Sequence, residues 1–315
     1  MTAEAVAIGV DLGATKIASA LVSLSGEVLA SRHTLTLSSE GPESVLDRLA
    51  AEIDTLSRHA IGPLSGVGIG SPGVVDPLQG VIRDAVNLDW REVHWVEGLK
   101  ARMKQPLPIW LQKDTNACAL GELYFGSGQG CNDFVYLSIG SGLGGGVVAN
   151  GQLIDGARGN AAELGHLSLD PEGQLCLCGK RGCAEITVSG HGLVISAMSL
   201  IQSDEKPSLL TGLDELTPAI IVNAADKGDE IARTALFSVG ANLGIVMAAC
   251  AAVLNPERFV VGGGLGLAAF DFLIPAARFE LQRRVTRVSY EKLEIVCSSL
   301  VSSAVGAACL VWQRS

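Results

Sequence analysis

The residues of this chain best suited to chemistry stand close together: His166, Cys176, Cys178 and Cys183, flanked by Glu163 and Glu185. Three thiolates and one imidazole complete a tetrahedral Cys3His set, the pattern of a structural zinc site with no coordination position left open. Gly179 and Gly182 ease the tight wrapping such a loop needs. Thiols clustered by chance in a reducing compartment are the plainer alternative. A metal pinning this loop would turn Glu163, the free edge of His166 and Glu185 toward a common point, an array suited to a polyhydroxylated ligand. Read singly, the two glutamates are ordinary solvated surface residues.

A second group surrounds Asp11-Leu12-Gly13-Ala14-Thr15-Lys16, which lies between two apolar runs and suits the polyphosphate of a nucleotide. Gly13 permits close backbone approach, Thr15 offers donors, Lys16 adds positive charge, and Asp11 could hold Mg2+ through water. Taken alone, the motif is equally a hairpin with a surface lysine. Residues 138–146, which include Gly140, Ser141 and Gly142, supply a second copy, and two such loops could clamp one triphosphate. Gly262, Gly263 and Gly264 follow a short apolar strand. They would let an adenine ring lie against backbone, or would simply turn a strand into a helix. Asp114 stands between the apolar run 107–111 and a helical pattern. It is placed either to cap that helix or, ionised and within reach of an attacking hydroxyl, to act as a general base.

The elements that must position these groups follow from the pattern. Residues 5–10, 17–24 and 27–35 read as strands joined by the Asp11–Lys16 turn and by Ser25-Gly26. Residues 134–137 and 144–149 repeat that grammar, with Asn150-Gly151 as the second hairpin turn. Helices are expected at 41–59, 116–126, 232–254 and 302–312. The expectation is an α/β chain of two lobes around a cleft, 1–132 and 133–301, with the segment 302–315 crossing back to the first. Both glycine-rich turns would fall at the carboxyl ends of strands, where such sheets bind ligands.

Composition bounds the function. The chain has 315 residues, 48% of them apolar and 18% charged, enough for two cores and too apolar for a disordered chain. Its 38 glycines are about 12% of the chain against a usual share of roughly 7%, and they cluster in discrete turns. A net charge of −10 and a pI near 5.0 disfavour nucleic-acid binding, and no basic run exceeds Gln282-Arg283-Arg284. No run approaches about 18 consecutive apolar residues, and the N-terminus lacks the basic start of a signal peptide, so no membrane association and a cytoplasmic location are expected. Of the eight cysteines, the five outside the cluster sit singly in apolar surroundings, which suggests buried free thiols rather than a disulfide framework.

Together these motifs resemble the ROK family (repressors, open reading frames and sugar kinases), part of the two-lobed actin-like ATPase (ribonuclease H-like) fold with a duplicated α/β unit and an interlobe cleft. The resemblance rests on the Asp11–Lys16 motif, Gly70-Ser71-Pro72-Gly73, Asp114 with Asn116-Ala117, residues 138–146, Glu163-Leu164-Gly165-His166, the cysteine cluster through Glu185, and Gly262-Gly263-Gly264. It implies an ATP- and Mg-dependent sugar kinase with structural zinc, in which Asp114 is the base, Glu163, His166 and Glu185 bind sugar hydroxyls, and Gly73 and Asn87 line the pocket. Glucose is the acceptor it favours, with N-acetylmannosamine, N-acetylglucosamine and fructose as alternatives. Family members are commonly dimers or tetramers, so a homodimer or homotetramer is expected. Family kinases carry Asn just before the catalytic Asp, where its amide meets a sugar hydroxyl; Lys113 takes that place here and brings a charge beside Asp114. A sugar sensor that has lost catalysis is the alternative this motivates. Repressor members carry an N-terminal helix-turn-helix domain, whereas here the first phosphate turn begins at Asp11, which favours the enzyme.

Overall fold

The computed structural model describes residues 4–203 and 207–313. Residues 1–3, read above as part of a non-basic N-terminus, and 314–315, read as the end of the closing segment, lie outside the described residues.

The first sheet starts as an antiparallel meander of β1 (Val6–Leu12), β2 (Lys16–Ser23) and β3 (Val28–Leu35). The Gly13 amide donates to the Lys16 carbonyl (3.0 Å) and closes the first turn; the Gly26 amide donates to Ser23 (2.9 Å) and closes the second. After α1 (Gly41–Ser57) the chain returns as β4 (Leu64–Ser71), parallel to β1. A small sheet of β5 (Val74–Asp76), β6 (Val81–Ala85) and β7 (Trp90–Val93), then α2 (Trp95–Lys100), lead to β8 (Ile109–Lys113), parallel to β4. The five-stranded order is β3-β2-β1-β4-β8.

Following α3 (Asp114–Phe125), the pattern is rebuilt with β9 (Phe134–Ile139), β10 (Leu143–Ala149) and β11 (Gln152–Leu153). Helices α4 (Gly190–Ser203), α5 (Pro218–Asp226) and α6 (Glu230–Leu254) precede β12 (Arg258–Gly262). Then come α7 (Gly264–Ala268), α8 (Phe270–Arg284), α9 (Arg287–Tyr290), β13 (Glu294–Cys297) and α10 (Ser303–Trp312). The order β11-β10-β9-β12-β13 is that of the first sheet, a meander with two parallel strands added beside its first strand. The internal repeat expected from the two glycine-rich turns is therefore a repeat of topology.

Strand β9 is buried on both faces. Val135, Leu137 and Ile139 join the core shared with α6, while Phe134 and Tyr136 join one shared with α3 and α10. Side chains that alternate across a strand covered on both sides produce such an unbroken apolar run. Among the described residues α6 alone is long and apolar enough to cross a membrane; its best window has mean hydropathy 2.0 and is 56% buried, packed against α4, α5 and α8. The count of consecutive apolar residues missed it because Thr234, Ser238 and Asn242 interrupt the run.

Helices α4, α5 and α8 were not anticipated, although Thr217 and Pro218 give α5 a readable start, with the Thr217 hydroxyl accepting the Ile220 amide. Pro275 lies inside α8 and masked it. Helix α6 starts at Glu230, earlier than expected, because Asp229 caps it by accepting the Ala232 amide (2.9 Å).

Helix α10 crosses back onto β1, β2 and β4. A Cβ on Gly9 would lie 1.8 Å from the Ala304 carbonyl oxygen, and one on Gly68 would lie 1.9 Å from that of Ala307. Backbone meets backbone at both points, so neither strand tolerates a side chain there. Gly9→Ala should therefore destabilise the fold by about 3 kcal/mol or more, as overpacking against a rigid backbone does; a chemical-denaturation midpoint within error of the wild type would contradict this packing.

Candidate active site

Strand β8 ends at Lys113 and α3 begins at Asp114, so the carboxylate emerges where a parallel strand meets a helix start. Gly70 on neighbouring β4 leaves the space: a Cβ there would lie 3.2 Å from Asp114 Cα. Oδ1 of Asp114 accepts the Thr115 amide (2.6 Å), one of the amides left free at a helix start. Part of the capping alternative is therefore realised, although Lys113 holds the cap position itself.

Asp114 is half-buried, and its carboxyl is pushed up to about 6. Burial is the main cause and the charge of Asp11 the next; the Thr115 amide and Lys113 oppose them, and Glu163 adds a smaller upward push. Asp11, near the end of β1, is also raised by burial, against the hydroxyl of Ser303, which donates to its Oδ2, and the charge of Lys16. Two acids, one near the end of β1 and one at the head of α3, thus meet at one place.

Lys113 is only 6% exposed. Its Nζ donates to the carbonyls of Ala161 (2.9 Å) and Ala162 (3.2 Å) and to Oε1 of Glu163 (3.0 Å). Oε2 of Glu163 lies 4.0 Å from His166 Nε2, and Nδ1 of the same ring lies 3.6 Å from Glu185 Oε1. Lys113, Glu163, His166 and Glu185 therefore form one connected polar group beside Asp114.

Beneath it, the ligand atoms of His166, Cys176, Cys178 and Cys183 all lie within 4.8 Å of one another. Sulfurs of Cys178 and Cys183 are 3.6 Å apart, close to the separation that two Zn–S bonds of about 2.3 Å give in a tetrahedron. The donor set and its spacing fit zinc. The Cys176 thiol donates to Glu185 Oε1 (3.1 Å), which ties the cluster to the polar group above it. Bridges between Ser168 and Cys183 and between Leu175 and Arg181 fold the loop back on itself.

The glycine-rich turns lie at matching places in the two sheets. Thr15, Lys16 and Ser141 are exposed. Gly140 donates to the Gly142 carbonyl (2.9 Å), and a Cβ on Gly142 would lie 2.9 Å from Glu185 Oε2, so the second turn abuts the polar group. Residues 144–146, read both as the tail of the second phosphate copy and as the start of a strand, belong to β10, where Gly144 and Gly146 let Thr115 of α3 pack closely. Gly262 and Gly263 make the strand-to-helix turn between β12 and α7 and pack on Tyr136 and Ile139, whereas Gly264 faces open space, as Gly140 does. Asn87 is exposed in a short turn, and Gly73 packs against Asp84 and Ala85 two residues earlier. The polar contacts that link Lys113 through Glu163 and His166 to Glu185 do not extend to Gly73 or Asn87.

Two positioning residues gave no sequence signal. Thr36 is fully buried after β3 and donates its hydroxyl to the Gly13 carbonyl (2.7 Å), bracing the first turn. Ser303 opens α10 and reaches Asp11 across the fold.

Two sheets of one strand order, each with a glycine-rich turn after its first strand, define the two-lobed actin-like ATPase fold. The ROK family model matches residues 7–314, and the chain belongs to the ROK family. It is 34% identical over 313 residues to a glucokinase of Thermotoga maritima, covering 98% of this chain and 97% of the relative. Among solved structures, a ROK family glucokinase from Streptomyces griseus in complex with glucose and AMPPNP is 32% identical with TM-score 0.83, covering 98% of this chain and 99% of that one. A ROK family transcriptional regulator, a homologue of the E. coli MLC protein, is 27% identical with TM-score 0.89, and 78% of it is covered by 98% of this chain.

A carboxyl raised in the folded state binds protons that the unfolded chain releases, so its ionisation destabilises the fold. Between the ordinary value of 3.8 and about 6, stability falls with rising pH on account of Asp114. Asp114→Asn should thus raise Tm at pH 8, and the gain should shrink as pH falls toward 4; a variant less stable than wild type at pH 8 would reverse the electrostatic assignment.

Proposed function

We propose that the chain is a sugar kinase that transfers the γ-phosphoryl group of ATP to a hexose hydroxyl, with glucose the favoured acceptor and Asp114 the base. The carrying observation is the placement of Asp114: half-buried at the head of α3, raised to about 6, and within electrostatic reach of Lys113 and Glu163, the latter of which lies beside His166 and, through it, Glu185. Such a carboxylate is ionised at neutral pH yet basic enough to accept a proton. Glu163, His166 and Glu185 offer acceptors and a ring nitrogen to sugar hydroxyls and orient one of them toward Asp114. Asp114 takes its proton as the oxygen bonds to phosphorus.

Bound ATP supplies the phosphoryl group, with Mg2+ offsetting its charge. On this reading Asp11 holds the cation through water, Lys16 and Thr15 face the phosphates from the first sheet, where Gly13 lets the backbone approach, and the Gly140, Ser141 and Gly142 turn faces them from the second. The open side of Gly264 suits the approach of adenine. Support for the donor comes from the AMPPNP complex of the Streptomyces griseus glucokinase. Residues 1–132 with 302–315 form one lobe on this reading and 133–301 the other, closing on the two substrates so that water is excluded. Self-association into a homodimer or homotetramer, as the family resemblance implies, belongs to the same reading. A sugar-responsive protein without turnover is the second reading, favoured by the likeness to the regulator.

Asp114→Asn should lower kcat by about 100-fold or more, the usual scale of general-base catalysis, and leave glucose affinity nearly unchanged. A coupled ADP-release assay beside calorimetric glucose titration checks both; near-normal turnover in the variant would remove Asp114 as the base, and no ADP release by the wild type on any hexose would favour the sensor.

Zinc held by His166, Cys176, Cys178 and Cys183 would fix the loop from which Glu163 and Glu185 project. Elemental analysis should find one zinc per chain, lost in Cys183→Ser, and chelation should lower Tm and raise KM for the sugar far more than KM for ATP. Equal effects on both constants would place the metal's role elsewhere.

A further inference from the structure

The two residues that end β8 both reach across to the segment that carries Glu163. Gln112 Nε2 donates to Asp155 Oδ1 (2.8 Å), and Lys113 Nζ donates to Ala161, Ala162 and Glu163. An ammonium has three N–H donors, and here each has a protein acceptor within 3.2 Å. No donor is left for a sugar. The segment needs restraint: Ala162 has φ of 61°, the left-handed region that residues other than glycine seldom adopt, and its carbonyl is one of the groups Lys113 binds. Gln112 accepts the Lys113 amide (2.8 Å) and is itself 3% exposed, so the anchor point is rigid.

We propose that Lys113 is a positioning residue for sugar recognition, a buried clamp that locks residues 155–163 and fixes the Glu163 carboxylate by taking up Oε1 and leaving Oε2 toward the sugar site, without itself touching the sugar. Where family kinases are expected to read a hydroxyl with an Asn amide, this chain gives up that direct contact and gains an ion pair that presets the orientation of an acceptor. Charge-assisted hydrogen bonds of a buried ammonium suit the task, because they are stronger than neutral ones. The inference rests on the kinase reading for its kinetic consequences but not for its structural one.

The test uses the full chain at pH 8 with Lys113→Met and Glu163→Gln, singly and together. Lys113→Met should raise KM for glucose by about tenfold or more with kcat within about threefold, the signature of lost uniform binding. Because the effect passes through Glu163, the two losses should not multiply in the double variant. Across monodeoxyglucoses the Lys113→Met loss should persist except where the hydroxyl read by Glu163 is missing. Amides of residues 155–163 should exchange hydrogen faster in Lys113→Met, a readout that needs no sugar or turnover. Unchanged exchange there, multiplying losses, or a fall in kcat at constant KM would each overturn the clamp. Should Lys113→Met fail to fold, Lys113→Arg with and without Glu163→Gln carries the same comparison, and non-additivity is again required. A wild type inactive on every hexose, with exchange at 155–163 still responding to Lys113, would instead sink the kinase reading and leave the clamp standing.

Discussion

The arrangement depends on how closely two helices lie against the sheets. Helix α10 touches the backbone of β1 and β4 at Gly9 and Gly68, and α3 touches β10 at Gly144 and Gly146. The two helices also meet, with a Cβ on Gly306 only 2.5 Å from the Ala117 carbonyl. At such distances dispersion contacts are dense and any added methyl must displace backbone, so the helices have little freedom to slide. The functional groups sit at the ends of these pinned elements: Asp114 is the first residue of α3, and Ser303, the first of α10, binds Asp11. Small-residue packing remote from any substrate thus sets the relation between the two acids.

That relation has an electrostatic consequence. Burial is the larger cause at both Asp11 and Asp114, and the charge of Asp11 adds to the upward push on Asp114, so the second carboxyl resists ionising beside the first. Lys16, Lys113 and the Ser303 hydroxyl pull the other way without cancelling it. Such a site attracts a cation and holds one carboxyl near neutrality, and both properties arise from geometry fixed by the glycines. The destabilisation is borne by the cores around it, a division often found where a site needs an environment that folding alone would avoid.

How much of this was legible depended on the range of the interaction. Turns announce themselves locally, so the Asp11–Lys16 and 138–142 loops, their flanking strands and the duplicated order could be read from glycine clusters between apolar runs. Cys176, Cys178 and Cys183 share a short loop, and their grouping with His166 needed only spacing. By contrast Thr36, Ser303 and the destination of the Lys113 side chain depend on contacts between distant segments, and none has a periodicity or composition that marks it. Gly144 and Gly146 show the limit of the same signal: clustered like a phosphate loop yet also readable as a strand, they lie in the strand and serve a helix contact because Thr115 lies over them. Composition cannot tell a glycine beside open space, such as Gly140 or Gly264, from one that admits a neighbouring helix.

The polar group around Glu163 combines two kinds of restraint that solve one difficulty. Residues 154–189 contain only isolated bridges and short turns among the described elements, so regular hydrogen-bond ladders do not fix it. An irregular segment left to itself would lose conformational entropy on binding each ligand, and that loss would weaken binding. Zinc held by the cysteine sulfurs gathered with His166 would restrain one end, and the ammonium of Lys113 restrains the other through two carbonyls and a carboxylate. The two anchors lie on either side of Glu163, Leu164 and Gly165, and a Cβ on Gly165 would lie 2.1 Å from the Leu143 carbonyl, so the short stretch between them is pressed onto β10. On the proposed reading, a ligand arriving at Glu163, His166 and Glu185 would meet groups already aimed, and this preorganisation is what an irregular loop needs before it can discriminate one arrangement of hydroxyls from another.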